Sequence, residues 1–233
     1  MGDTCHECGR EFKQIADHWA QSSCSYSNFS EHQHGVLTGL LMGDGLLHRS
    51  NRRPYLRTQM ITKDYLSHLS KELFPVLSGD VHLTITAKES AAHNIDTGFS
   101  PDADVEDYSD LYGWQTMAHP GLQRYEAWYS SGSKAFPPNI ELTPTVLKHW
   151  YCGDGHLNEN KYPGIALCNE SGNKEKINSM FSRVGLTDFF WREGQQARDR
   201  SNPLTTIRFR ADGTENFFEY VGDPPPGFAY KWI

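Results

Sequence analysis

Nine residues recur in this chain with one ending: Leu37-Thr38-Gly39-Leu40-Leu41-Met42-Gly43-Asp44-Gly45 and Leu147-Lys148-His149-Trp150-Tyr151-Cys152-Gly153-Asp154-Gly155. Each copy is a largely apolar helical run that stops at one carboxylate held between two glycines. Two copies, 110 residues apart (154 minus 44), predict a pair of helices that deliver two Asp side chains to one place. Gly39 and Gly43 lie four apart on one helix face, and a face without side chains lets another helix approach closely. Gly45 and Gly155 are expected in the left-handed conformation that ends many helices. A carboxylate at the negative end of a helix dipole calls for a cation nearby, and two such ends with their carbonyls form an oxygen-rich site suited to Mg²⁺.

A single Gly-Asp-Gly also closes ordinary buried helices. Two copies, each followed by strand-like sequence, are the LAGLIDADG pattern, and from about residue 35 to 233 the chain resembles the homing endonucleases of that family in their single-chain, two-repeat form. Each half reads as αββαββ with a final helix. After Gly45 a hairpin is expected from Leu46–His48 and Tyr55–Ile61, a helix from Lys63 to Phe74 ended by Pro75, and a strand from Val81 to Thr86 pairing with Tyr125–Tyr129. After Gly155 come a strand at Gly164–Asn169, a helix near Lys174–Val184, strands at Phe189–Arg192 and Thr205–Arg210, and a helix at Glu215–Val221. The fold class is therefore α+β, two pseudo-symmetric αββαββ(α) repeats plus a small N-terminal zinc-binding module. The domains are 1–30, 31–140 and 141–233. The resemblance implies that the two sheets form a saddle over a DNA duplex.

It also implies roles for single residues. Asp44 and Asp154 fall on the family's metal-binding acidic position, with the carbonyls of Gly43 and Gly153 as added ligands. Lys134 and Lys231 match basic residues near the active site, and Gln59 and Asn169 resemble the polar pair that positions water. Lys148 and His149 depart from the pattern, at positions that are usually small or apolar, so the helix interface is expected to be asymmetric. The expected product is a double-strand break with short 3′ overhangs.

The net charge of −7 is unusual for a DNA partner, which normally meets a basic patch. Charge is segregated, however. Asp102, Asp104, Glu106, Asp107 and Asp110 form an acidic stretch without a basic residue, expected to be an exposed loop, whereas residues 46 to 61 hold Arg49, Arg52, Arg53 and Arg57 and no acid. Arg192, Arg198, Arg208 and Arg210 fall in a second basic region. Strand alternation sends every second side chain to one face, so these arginines are candidates for base or phosphate contacts in the major groove, which a β-ribbon fits.

Cys5-x2-Cys8-x9-His18-x5-Cys24 has finger-like spacing suited to tetrahedral Zn²⁺, with His6 as a competing ligand and Phe12, Ile15 and Trp19 as a miniature core. Loss of zinc is expected to unfold residues 1 to 30 and spare the core. Five cysteines, an odd number, fit a reducing compartment better than a disulfide framework. The sequence shows neither a long apolar run nor a signal-peptide core, so the expectation is an intracellular, cytoplasmic or nucleoid protein. The function expected is a Mg²⁺-dependent, monomeric endonuclease acting on double-stranded DNA at a long asymmetric target. The alternative is a non-cleaving nucleic-acid-binding protein on the same scaffold, an intron RNA maturase or a DNA-binding regulator.

Overall fold

The structure is a computed structural model. It describes residues 3–233 except 6, 14, 23, 26–27, 49–52, 75, 78, 99, 103, 130–133, 136, 159, 167–173 and 195–203. In chain order the elements are β1 (Asp3–Thr4), β2 (Glu11–Phe12), α1 (Ile15–Gln21), α2 (Glu31–Met42), β3 (Leu46–His48), β4 (Tyr55–Met60), α3 (Lys63–Glu72), β5 (Gly79–Ile85), α4 (Ala87–Asp96), β6 (Leu111–Thr116), α5 (Pro144–Asp154), β7 (Gly155–Leu157), β8 (Pro163–Ala166), α6 (Lys174–Ser182), β9 (Phe189–Gly194), β10 (Leu204–Phe209) and α7 (Ala211–Val221). Short 3-10 segments occupy Val105–Asp107, Pro120–Tyr129 and Ala229–Lys231. Two four-stranded antiparallel sheets share one plan, β3-β4-β6-β5 and β7-β8-β10-β9. In each, the first two strands form a hairpin and the fourth strand in sequence inserts between the second and third.

The chain divides into two compact units, one of residues 1–28 with 46–123 and one of residues 29–45 with 124–233. The first holds the β1–β2 hairpin, α1 and the first sheet. Its core includes Leu56, Tyr65, Leu66, Leu69 and Trp114, all fully buried. Alternation along β4 drives this packing, because Leu56, Thr58 and Met60 point inward while Tyr55, Arg57 and Gln59 stay partly exposed. The second unit holds α2, α5 and the second sheet, and its core is aromatic. Phe181 stacks on Trp150 and meets Phe209 edge-on, and Phe217 lies between Phe209 and Tyr151.

The motif helices begin where local chemistry tells them to. Ser30 accepts a hydrogen bond from the Gln33 N–H while the Gln33 side chain accepts from the Ser30 N–H, a reciprocal capping box that starts α2. At α5, Thr143 accepts from the Val146 N–H and Pro144 takes the first turn, where its missing N–H costs nothing.

Two expectations need correction. Tyr125–Tyr129 is no strand: it lies in the 3-10 segment Pro120–Tyr129, and the strand beside β5 is β6. The Tyr125 hydroxyl bonds His34 and Thr38 of α2 instead, so a tertiary contact overrides the β-propensity of an aromatic run. Neither Gly45 nor Gly155 is left-handed. Gly155 is extended at φ −82°, and Gly45 is not among the positive-φ glycines. The reason for glycine is space: a Cβ at Gly45 would stand 2.6 Å from the Leu40 carbonyl oxygen, and one at Gly155 would stand 2.6 Å from Tyr151 Cε2. The acidic stretch is exposed at Asp102, Asp104, Glu106 and Asp107, and Asp110 turns back to accept from the Ala87 N–H at the start of α4.

Candidate functional site

The two motif helices run parallel and meet along a row of small residues. A Cβ at Gly35 would lie 3.1 Å from Thr145 Cγ2, one at Gly39 would lie 2.7 Å from His149 Cβ, and one at Gly43 would lie 3.3 Å from Gly153 Cα. Each pair consists of equivalent positions of the repeat, 110 residues apart. Where α5 carries His149, buried at 2% exposure, α2 answers with glycine. The sequence departure at His149 is therefore absorbed by its symmetry mate.

This contact brings Asp44 and Asp154 together. A Cβ at Gly153 would be 2.9 Å from the Asp44 nitrogen and 3.5 Å from its Cγ, so the carboxylates leave the ends of two touching helices. Burial, with the neighbouring Asp44 charge, raises the Asp154 pKa to about 7 against the lowering pull of Lys134, the Trp150 side chain and Lys231. Burial also raises Asp44, offset by Lys231 and Lys134. Two carboxylates held this close repel one another and attract positive charge.

Each helix end already holds one lysine. Lys134 Nζ donates to the carbonyls of Gly43 and Gly45, the latter at 3.3 Å, and Lys231 Nζ donates to the carbonyls of Cys152 at 2.7 Å and Gly153 at 3.5 Å. Two ammonium groups thus sit at the negative ends of two helices, where the dipole favours them. They also engage the two carbonyls expected as metal ligands, which leaves the two carboxylates as the anionic donors. Burial lowers the Lys231 pKa, and the charges of Cys152, Asp44 and Asp154 hold it up. Its place is fixed by the tail: Tyr151 donates to the Lys231 carbonyl at 2.9 Å, and Trp232 Nε1 donates to the Gly222 carbonyl at 2.8 Å. Two neighbouring carboxylates suit a hard divalent ion by donor chemistry.

On the second sheet, Arg208 stands opposite Phe190 on β9 and Gly164 on β8, and Gly164 stands opposite His156 on β7. Thr206 pairs with Arg192, so Arg192, Arg208 and His156 share a face. Burial and the charges of Arg208, Lys231 and Arg192 lower the His156 pKa, and burial with Arg192 lowers that of Arg208. The Arg208 Nε is buried without a hydrogen-bond partner among the described residues. Arg210 differs: it donates to Asp188 at 3.1 Å and lies over the Phe190 ring.

On the first sheet, Arg57 faces Leu46 on β3 and Gln115 on β6, while Gln59 faces Gly113, which faces His82 on β5. Asp80, His82 and Gln115 thus join this face, and the sequence reading did not select them. Arg53 is partly exposed just before β4. Arg49, Arg52, Arg198 and Asn169 lie outside the described residues.

Four N-terminal ligand atoms converge. Those of Cys5, Cys8, His18 and Cys24 all lie within 4.8 Å of one another, with Cys8 Sγ 3.5 Å from His18 Nε2. Cys5 N–H donates to the Arg10 carbonyl and Gly9 N–H to the Cys5 carbonyl. Gly9 turns the chain at φ +67°, a conformation that suits glycine. Burial pushes the Cys5 thiol up, but the Cys8 and Glu7 N–H groups and the His18 and Cys8 side chains outweigh it and bring its pKa to about 6. His18 stacks on Phe12 with ring centroids 3.9 Å apart. The four described cysteines form no disulfide, and this donor set fits tetrahedral zinc. His6 lies outside the described residues.

The sheets, the parallel glycine-packed helices and the paired carboxylates define a homing-endonuclease scaffold. The model of the LAGLIDADG DNA endonuclease family matches residues 34–217, and the chain belongs to that family. Its members' role is DNA cleavage or DNA binding. The solved structure of the homing endonuclease I-WcaI bound to its DNA recognition sequence is similar over 98% of this chain and 96% of its own, with a TM-score of 0.63 and 15% identity. The N-terminal LAGLIDADG domain of DUF199/WhiA is similar over 84% of this chain and 87% of its own, with a TM-score of 0.46 and 12% identity. No curated protein matches the sequence. Among the described residues no helix is long and apolar enough to cross a membrane.

Proposed function

We propose that this protein is a site-specific endonuclease that makes double-strand breaks in DNA at a long, asymmetric target, acting as a monomer with Mg²⁺. The observation that carries this reading is the crowding of Asp44 and Asp154 at two touching helix ends, with a lysine bound to each end. Asp44 and Asp154 would hold the metal, which when bound supplies positive charge for the attacking and leaving oxygens of the phosphodiester. Lys134 and Lys231 offset charge that develops on the phosphate oxygens. Gln59 and Asn169 orient water for in-line attack. The face that carries Arg192 and Arg208 beside His156, where Arg208 Nε has no hydrogen-bond partner among the described residues, takes up backbone phosphate, and Arg57 with its neighbours reads base edges in the other half-site. Cys5, Cys8, His18 and Cys24 hold a structural zinc ion.

Selection of bound duplexes from a randomised pool, followed by incubation of the selected target with Mg²⁺, tests the reading. A linear break at one position in a non-palindromic target is expected. Tight, selective binding with no break under Mg²⁺ would instead leave the non-cleaving binding protein, whether a regulator of DNA or a binder of intron RNA.

A further inference from the structure

The Cys/His cluster packs against the segment that follows β6, at one end of the first sheet. Its core of Cys5, Ile15 and Trp19 is buried, and Met117, just past the end of β6, packs against it. Trp19 also meets His119 edge-on, with ring centroids 6.2 Å apart. Both contacts land on the few residues that follow β6, and those residues hold the start of β4. His119 N–H donates to the Pro54 carbonyl at 3.0 Å. Thr116 Oγ1 donates to the Met117 carbonyl at 2.8 Å and accepts from the Leu56 N–H at 3.0 Å.

These links matter because of where the ladder stops. β6 pairs with β4 only from Arg57 to Met60. The first residues of β4, Tyr55 and Leu56, pair with β3 alone, so on their other side the bonds to Thr116 and His119 stand in for the missing ladder. An outer hairpin of two strands is marginally stable without such support. Leu56 is fully buried and His119 is 2% exposed, so little slack exists between the zinc core and the strand that carries Arg57 and Gln59.

We propose that the zinc module is the positioning element of the β3–β4 hairpin and so sets base preference in one half-site, an inference that rests on the zinc and DNA readings above. Trp19 and His119 are positioning residues that touch no DNA themselves. The class of partner is double-stranded DNA, and the property controlled is selectivity for the half under residues 46–61.

The test uses the full chain in three forms: zinc-loaded, zinc-stripped by a chelator, and zinc-loaded Trp19→Ala with Trp19→Phe beside it. Zinc content is measured first, then hydrogen exchange at the Leu56 and His119 amides, then base preference by target selection. In the stripped protein the Leu56 and His119 amides should exchange at least about tenfold faster, as expected of a locally opened segment, while amides of α5 stay protected. Trp19→Ala should keep its zinc and lose about tenfold in discrimination at positions of one half-site only, the scale of one mismatched base pair. Trp19→Phe should restore it. Equal exchange at Leu56 with and without zinc would overturn the proposal, as would an equal loss of preference in both half-sites. If Trp19→Ala holds no zinc, the stripped wild-type protein decides. Should the wild-type protein select no DNA at all, the DNA reading fails on its own, and a zinc-independent Leu56 amide would remain the separate sign that the positioning inference is wrong.

Discussion

Gly39 and His149 occupy equivalent positions of two parallel helices and lie against one another, so that a Cβ on the glycine would stand 2.7 Å from the histidine Cβ. The bulk of one repeat is matched by the absence of bulk in the other. Two neighbouring pairs, Gly35 with Thr145 and Gly43 with Gly153, follow the same offset and lead to Asp44 and Asp154, so the geometry of the carboxylates is set by how closely α2 and α5 approach.

Gly39→Val should therefore separate the helices. The added side chain meets the His149 Cβ and the backbone of α5 rather than a flexible side-chain tip, and overpacking of this kind costs about 1–3 kcal/mol. Denaturant titration should show that loss, and cleavage should fall by more than binding does. A Gly39→Val protein of wild-type stability would mean that the close approach is not needed.

The Asp pair makes metal-free stability depend on pH. With its folded pKa at about 7 against 3.8 for an ordinary Asp, Asp154 binds its proton more tightly in the folded than in the unfolded state. Its contribution is fully present below about pH 4 and is lost as pH rises through 7. In chelator, the melting temperature should drop between pH 5 and 7.5 relative to Asp154→Asn, whose profile should be flatter. Added Mg²⁺ should raise the melting temperature at pH 7.5 in wild type and not in the variant. Parallel profiles for both proteins would count against a crowded pair.

Much of this site is legible in the sequence, because a Gly-Asp-Gly ending and helical apolar spacing are local signals. Lys134 and Lys231 come from the family resemblance, and the structure shows the reason in physical terms: each caps one helix C-terminus. Legibility ends where distant chain segments decide. β6 lies beyond a helix and an acidic run, and nothing local distinguishes Leu111–Thr116 from the aromatic run Tyr125–Tyr129 as the partner of β5. As a result Gln115, Asp80 and His82 went unselected on the reading face. α4 carried a visible signal, the Thr86 and Glu89 capping box, that the period-two strand pattern before it obscured. The glycines after each Asp read as left-handed turns in sequence, because a side-chain clash inside one's own helix end leaves no trace there.

Arg57 and Arg192 should separate by the kind of contact they make. Arg57→Ala is expected to cost about 1–3 kcal/mol and to change preference only within one half-site. Arg192→Ala, in the positive face of the second sheet, should weaken binding to all sequences alike and lower the salt slope by about one. Binding titrations over a range of salt on matched and mismatched duplexes distinguish the two. A selected pool that is palindromic, or a dimer on DNA, would contradict a single chain with two unlike reading faces.

Removing the ammonium group at one helix end should act on chemistry rather than on affinity. Lys231→Met keeps the length of the side chain and loses its charge, so single-turnover cleavage should slow by about a hundredfold, the scale seen when one charge-stabilising donor is lost, with the dissociation constant for target DNA within a few fold of wild type. Equal losses in both quantities would assign Lys231 to binding alone.

The most direct measurement compares cleavage and binding of one selected target by wild type, Asp44→Asn and Asp154→Asn in Mg²⁺. Each substitution removes a carboxylate charge and keeps the shape of the side chain. Both variants should bind the target almost as tightly as wild type, since affinity comes from phosphate and base contacts elsewhere, and neither should produce a double-strand break. Full cutting by Asp154→Asn would contradict the two-carboxylate centre on which the account rests.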